Sequence, residues 1–253
     1  MECRPTVKNI YDYIDSIAPF EEQCEWDNSG LLVGNPCREI SKIGVVLDIT
    51  ADAVRYAAAN GIELIVSHHP VIFRPVKAFL EGDVSYLLAK NGISAICAHT
   101  SLDRANGGVN DVLAETLGFR NPVPLAAEGE SAMIRKVIIE ETEANELAML
   151  VADRLSTGVQ LADCGKKIDT VALCGGAGGD FIHAVAGSGC DAYITGEAKH
   201  HEYLEAKDLG LTLISAGHFE TENPVVAVLA KKIKDNFDCE VEVIPQKSPV
   251  EYY

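Results

Sequence analysis

No run of this sequence approaches the ~20 apolar residues that a membrane helix needs. Basic residues are also scarce: 21 Lys+Arg stand against 38 Asp+Glu, a formal charge of -17. So acidic a chain has no generic attraction to phosphate backbones or anionic membranes, and neither nucleic acid nor membrane is an expected partner. A local basic cleft for a nucleotide is still compatible with this balance. No two of the eight cysteines stand as CxxC, which argues against a zinc ribbon and against a compact disulfide framework. They read as reduced thiols, with Cys97 and Cys190 in the core. The opening Met-Glu-Cys-Arg-Pro lacks the apolar run of a signal peptide, so a cytoplasmic location is expected. There is one tryptophan, Trp26, in a turn-like Trp26-Asp-Asn-Ser-Gly30 where Asp or Asn side chains cap the backbone.

The 253 residues are 47% hydrophobic and 23% charged, which is ordinary globular composition. The length fits one large domain or two modest ones. Helical spacing predicts an opening amphipathic helix over 6–18. Then strands alternate with helices: strand 43–48, helix 51–60, strand 62–67, helix 83–90, strand 93–98, helix 108–117. This alternation is the pattern of βαβ units on a mostly parallel sheet. Asn121-Pro-Val-Pro-Leu125 and the following Ala-Ala-Glu-Gly-Glu-Ser break it and read as a linker. The alternation resumes with strands at 137–140, 171–174, 192–195, 211–215 and 241–244, and helices at 143–155, 180–187, 198–208 and 224–236. The expected architecture is α/β, two lobes with mostly parallel sheets joined near residue 125. Residues 1–124 and 218–253 form the first lobe and 125–217 the second. Strand 45–48, helix and strand 64–68 resemble strand 171–174, helix and strand 192–196. A duplicated lobe and two similar βαβ units both fit this likeness.

The seven histidines carry the main signal. His68 and His69 end one strand, His99 the next, and His218 a later one, with Asp103 and Glu222 each four residues beyond a histidine. In open α/β sheets, ligands bind outside the carboxyl ends of strands. Imidazole and carboxylate donors without thiolate suit Fe, Zn, Mn, Co or Ni. Neighbouring side chains on a regular strand point to opposite faces. His68 and His69 therefore serve one site only if the strand has ended, and Pro70 imposes an extended, irregular exit. The pair would then fan out toward two ions. This nitrogen and oxygen set is larger than one closed structural zinc site uses. It fits two metals.

Weaker signals lie in the second lobe. Cys174-Gly-Gly-Ala-Gly-Gly-Asp180 follows a strand and opens a helix, so its amides could cradle a phosphate. It lacks the GxGxxG and P-loop spacings, and a tight, closely packed turn explains it as well. Lys199, His200 and His201 start a helix and could meet an anionic substrate. A solvated helix start explains them equally.

These motifs together resemble the type 2 homologues of GTP cyclohydrolase I, the NIF-three-like family. The likeness runs through Trp26–Gly34, Ser67–Phe73, His99–Asp103, Gly107–Asp111, Cys174–Gly178, Thr195–His201 and Gly217–Glu222. The resemblance implies two divalent ions held by His68, His69, Asp103, His218 and Glu222 in a cleft between the lobes. It implies a homohexameric ring, with a nucleotide or another small molecule as substrate. It also implies conversion of GTP to formate and dihydroneopterin triphosphate. In that reaction His99 would shuttle a proton, while Lys199, His200 or the glycine loop at 175–179, with Gly176 and Gly178, could hold the triphosphate. The alternative is a non-catalytic metal-binding or regulatory ring scaffold.

Overall fold

Apolar runs of four or five residues become parallel strands buried on both faces, which is why they carry no polar alternation. The computed structural model describes residues 4–126 and 129–251. The chain divides into two compact units, Met1–Asn106 with Val225–Lys247, and Gly107–Pro224 with Ser248–Tyr253.

The first unit holds a five-stranded sheet ordered Gly30–Val33, Ser94–Cys97, Leu64–Ser67, Lys42–Val46, Glu240–Val243. All pairings are parallel except that of the Gly30–Val33 edge strand. Helices Ala51–Ala59 and Val84–Lys90 make the crossovers. Val54, Ala57, Ile65, Leu88 and Ile244 fill one face. The opening helix Val7–Ile17 starts at Thr6, whose hydroxyl accepts from the Asn9 amide while the Asn9 side chain accepts from the Thr6 amide.

The second unit holds a six-stranded sheet ordered Val123–Pro124, Arg135–Thr142, Ile168–Cys174, Ala192–Thr195, Thr212–Ser215, Gln160–Ala162. This sheet is mixed rather than mostly parallel, with only the pairings flanking Ala192–Thr195 parallel. The strand Arg135–Thr142 follows Val123–Pro124 with no α-helix between them among the described residues and runs antiparallel to it. The proline segment expected to be a linker contributes the two-residue edge strand Val123–Pro124. Proline is tolerated there because an edge leaves its missing donor unneeded. Ala127 and Glu128 of that expected linker, and Cys3 at the start, lie outside the described residues.

The units divide at 106/107 and 224/225, not at 124/125 and 217/218. The reason lies in helix Val109–Thr116. Its Leu113 and Ala114 pack into the core formed by Val137, Leu147, Val171 and Ile194. Its Asp111 pairs with the fully buried Arg135, whose guanidinium also donates to the Ala132 and Met133 carbonyls. Asn110 accepts from the Gly175 amide at 2.7 Å. An ion pair to a fully buried arginine and a core contact tie this helix to the second sheet. Consequently His218 and Glu222 belong to the second unit, and the first carries His68, His69, His99 and Asp103.

The described cysteines are all free thiols, with Cys97 and Cys190 buried as expected. No helix among the described residues is long and apolar enough to cross a membrane.

Candidate metal centre

Three parallel strands of the first unit end level with one another, Val46 opposite Ser67 and Ser67 opposite Cys97. Two residues past those positions stand Asp48, His69 and His99. The strand end is irregular in the way that brings His68 in beside His69. The amides of His68 and His69 both donate to the same neighbouring strand, to Val46 O and Leu47 O at 3.3 and 3.0 Å. A regular strand sends successive amides to opposite sides, so the alternation of side-chain faces is lost here. The His68 and His69 rings lie 4.9 Å apart between centroids, and each lies within 5.5 Å of His99. A ring nitrogen of each falls within 4.8 Å of the other two.

Each imidazole is anchored through Nδ1. His68 Nδ1 lies 2.9 Å from the Ala98 carbonyl, His69 Nδ1 2.7 Å from Asp48 Oδ1, and His99 Nδ1 2.8 Å from Asp27 Oδ1. An oxygen acceptor at Nδ1 places the proton on that nitrogen. In the neutral ring the lone pair then sits on Nε2. This oxygen–histidine pattern is the one that orients metal-ligating imidazoles. His68 is buried, and its Nε2 faces Asp103 Oδ1 at 3.7 Å. A lone-pair nitrogen facing a carboxylate oxygen in a buried setting is a donor set that suits a cation.

Asp27 is the most constrained of the supporting groups. Burial pushes its carboxyl up, but hydrogen bonds from His99, Thr100 and the Asn28 amide outweigh this and hold it well below the usual carboxylate range. It therefore stays ionised and fixes the His99 tautomer. Asp27 and Asp48 escaped sequence reasoning. Asp48 is visible only as an acid ending a strand, and Asp27 reads as a turn cap; their histidine partners are 21 and 72 residues away.

The second unit presents its own pair. The five-residue helix His218–Glu222 begins after Gly217, which takes a φ of +89°. His218 Nε2 meets the buried Glu222 Oε2 at 3.1 Å, and His218 Nδ1 lies 3.3 Å from Glu197 Oε1. The glycine loop lies directly against them. A Cβ on Gly176 would come within 2.1 Å of Glu222 Oε1 and 3.1 Å of His218 Nε2, and Gly176 has φ +63°. Only glycine fits there.

That geometry corrects the expected phosphate cradle. The amide of Gly176 donates to Thr221 Oγ1 and that of Gly178 to Thr195 Oγ1. Gly175 donates to Asn110, so these amides are already bonded. The loop is a close-packed turn that leaves room for two carboxylates, Glu222 at Gly176 and Glu202 at Gly179. Lys199 is also committed. Its ammonium lies 3.1 Å from Glu202 and 3.3 Å from Asp180, and these carboxylates hold it above the usual lysine range. His200 and His201 are exposed on the first turn of helix His200–Asp208. A cavity of about 390 Å³ in this unit is lined by His218, Glu197, Lys199, Glu202, Phe219 and the C-terminal Pro249, among others. Its charged lining is predominantly acidic.

The Duf34/NIF3 (NGG1p interacting factor 3) family profile matches residues 5–249. The chain belongs to this family. A GTP cyclohydrolase 1 type 2 homolog of Clostridium perfringens is 33% identical over 251 residues, 95% of this chain and 96% of that one. GTP cyclohydrolase 1 type 2 of Helicobacter pylori is 31% identical, with 97% and 98% covered. Among solved NIF3-like folds, reduced HcgD from Methanocaldococcus jannaschii superposes with a TM-score of 0.84 at 28% identity, covering 96% of this chain and 98% of that one. The Staphylococcus aureus hypothetical protein SA1388 reaches a TM-score of 0.90 at 23% identity, covering 99% and 100%. The α/β architecture with two sheets is thus that of its family.

Proposed function

We propose that this Duf34/NIF3 protein is a metal-dependent hydrolase. Its donors are His68, His69 and Asp103 in the first unit and His218 and Glu222 in the second. The observation that carries the reading is the common anchoring of His68, His69 and His99 through Nδ1, which leaves the Nε2 atoms of His68 and His69 to donate to a metal and that of His99 to take up a proton. Neither unit's own donors complete the set that the family resemblance implies. With both, we expect about two divalent ions per chain, from Fe, Zn, Mn, Co or Ni. Such ions supply Lewis acidity at near-neutral pH. His99 accepts and returns a proton at Nε2, while Asp27 holds its Nδ1–H and stabilises the charged ring. Asp48 and the Ala98 carbonyl keep the His69 and His68 rings aimed. The curated relatives' names point to GTP as a substrate to test.

Elemental analysis of protein purified without chelator or a nickel column tests the donor set. His68→Ala and Glu222→Ala should each lower metal content while the protein stays folded, and unchanged content would overturn the assignment. His99→Ala should retain metal and lose turnover by roughly 10²–10⁴-fold.

A second reading, a metal-binding scaffold without turnover, is favoured by one observation. Lys199 and the Gly176 and Gly178 amides are all engaged within the second unit, which leaves a triphosphate only the exposed His200 among its expected anchors there. A metal-loaded protein that turns over neither nucleotides nor phosphoesters would establish that reading. In both readings we propose a cytoplasmic homohexamer, following the family resemblance. Sedimentation at low micromolar concentration should show a species much larger than 27.2 kDa.

A further inference from the structure

The only tryptophan of this chain is not spent on a core: Trp26 is 52% exposed. Phe73, on a different loop, is 45% exposed. Large aromatic side chains usually bury their apolar area, so two half-exposed rings beside a polar cluster need a reason. The rings meet each other at 5.9 Å between centroids, and they meet His99 at 6.0 and 6.3 Å. Both contacts to His99 are edge-to-face. The three rings therefore make a wall instead of a closed stack.

This wall is held by its backbone. The Cys24 amide donates to Thr100 Oγ1 at 3.0 Å, and the Asp27 amide to Cys24 O at 2.9 Å. The Asp27 carboxylate accepts from the Thr100 amide and from His99. Asn28 Nδ2 donates to the Ile72 carbonyl, which joins the tryptophan turn to the segment bearing Phe73. Residues on both sides of Trp26 are thus bonded to the His99 loop or to the Phe73 segment, while half of the indole itself faces solvent. Rigid presentation of an aromatic face is how proteins stack planar rings at low entropic cost.

We propose that Trp26 and Phe73 form a stacking surface that seats a planar heteroaromatic ring against the His99 end of the histidine cluster. This inference rests on reading that cluster as the reacting site, and it assigns specificity to two residues outside the donor set. Because every nucleobase has a π-face, the surface selects for ring character and not for phosphate.

The single tryptophan makes the test direct. Metal-loaded protein is titrated with guanosine, and with ribose as the non-aromatic control, while Trp26 fluorescence is followed. Saturable quenching by guanosine but not ribose is expected. Phe73→Ala should weaken guanosine binding about tenfold, the scale of one base–aromatic stack. Trp26→Leu, read by calorimetry, should weaken it at least as much. Both variants should keep the wild-type metal content, since neither residue donates to a metal. Absence of saturable quenching by guanosine, or an unchanged affinity in Phe73→Ala and Trp26→Leu, overturns the stacking surface. Loss of metal in either variant also overturns it, by making the aromatic wall part of the metal site's framework. Wild-type protein that takes up no divalent metal yet still binds guanosine saturably would leave the stacking surface standing and remove the metal reading instead.

Discussion

The two units wind the same four-strand motif and then equip it differently. In each, three successive strands pair in parallel, and the strand just before them in the chain returns to the far edge as an antiparallel neighbour. These strands are Lys42–Val46, Leu64–Ser67 and Ser94–Cys97 with Gly30–Val33, and Ile168–Cys174, Ala192–Thr195 and Thr212–Ser215 with Gln160–Ala162. In each, the third parallel strand leads to a histidine followed four residues later by an acid, His99 with Asp103 and His218 with Glu222. The likeness thus extends past a pair of βαβ units to the edge strand. The remaining strand ends diverge. Asp48, His68 and His69 follow the first two strands of one unit, where Gly175, Gly176, Gly196 and Glu197 follow those of the other. One unit supplies donors at these positions, while the other supplies room beside Glu222.

The comparison can be broken most severely at Arg135. Its side chain is fully buried and pairs with the largely buried Asp111, so Arg135→Ala empties a core site and removes that carboxylate's cationic partner, though the Gly107 amide still donates to it. A loss of about 3–5 kcal/mol is expected, measured by denaturant unfolding. Hydrogen exchange should show the second unit opening first, because this pair lies wholly within it. Next in size is Gly176→Ala. A positive φ and the approach to Glu222 should cost roughly 1–3 kcal/mol. Metal content should fall with it, whereas Gly61→Ala, also at positive φ but with open space around it, should leave metal unchanged.

A smaller and pH-dependent effect is expected at Asp27. Its carboxyl is held below the usual range, so the folded state binds its proton less readily than the unfolded chain. The stability this contributes is present above the unfolded value of about 3.9 and is lost as pH falls through the folded one. Asp27→Asn should therefore melt below wild type at pH 7, with the gap closing in acid. Thermal melts from neutral pH downward check this, and a gap that widens in acid would contradict it. The smallest effect belongs to Lys199→Ala. Its exposed ammonium pairs with the exposed Asp180 and with the buried Glu202, which keeps its hydrogen bond from the residue-199 amide after substitution, so melting temperature should fall only slightly and metal content stay unchanged.

The buried parallel strands and their crossover helices were legible because apolar runs and helical periods are local properties. The strand Ala192–Thr195 and the helix Pro224–Asn236 fall where the sequence puts them. The edge strands Gly30–Val33 and Gln160–Ala162 were not legible. They are short, lack alternation, and exist as strands only through neighbours far along the chain. The histidines stood out because the residue is rare and strand ends are privileged places. The unit boundary was missed because Asp111 and Arg135 look like ordinary surface charges until the fold buries the arginine against the aspartate. The glycine loop misled for a related reason: a sequence shows the glycines but not the side chains that take up their amides.

The first unit is interrupted in the chain, since its last strand, Glu240–Val243, pairs with Lys42–Val46 from the beginning. During synthesis this unit begins before the second, yet its last strand emerges only after nearly all of the second has been made. The sheet edge at Lys42–Val46 is without its final partner until nearly the whole protein has been made, while the inserted unit, apart from its few C-terminal residues, is already complete. Folding as units during synthesis then reverses the order in which the units begin. A nascent chain halted before Pro224 would carry an open β-edge, the kind of surface that pairs with other chains.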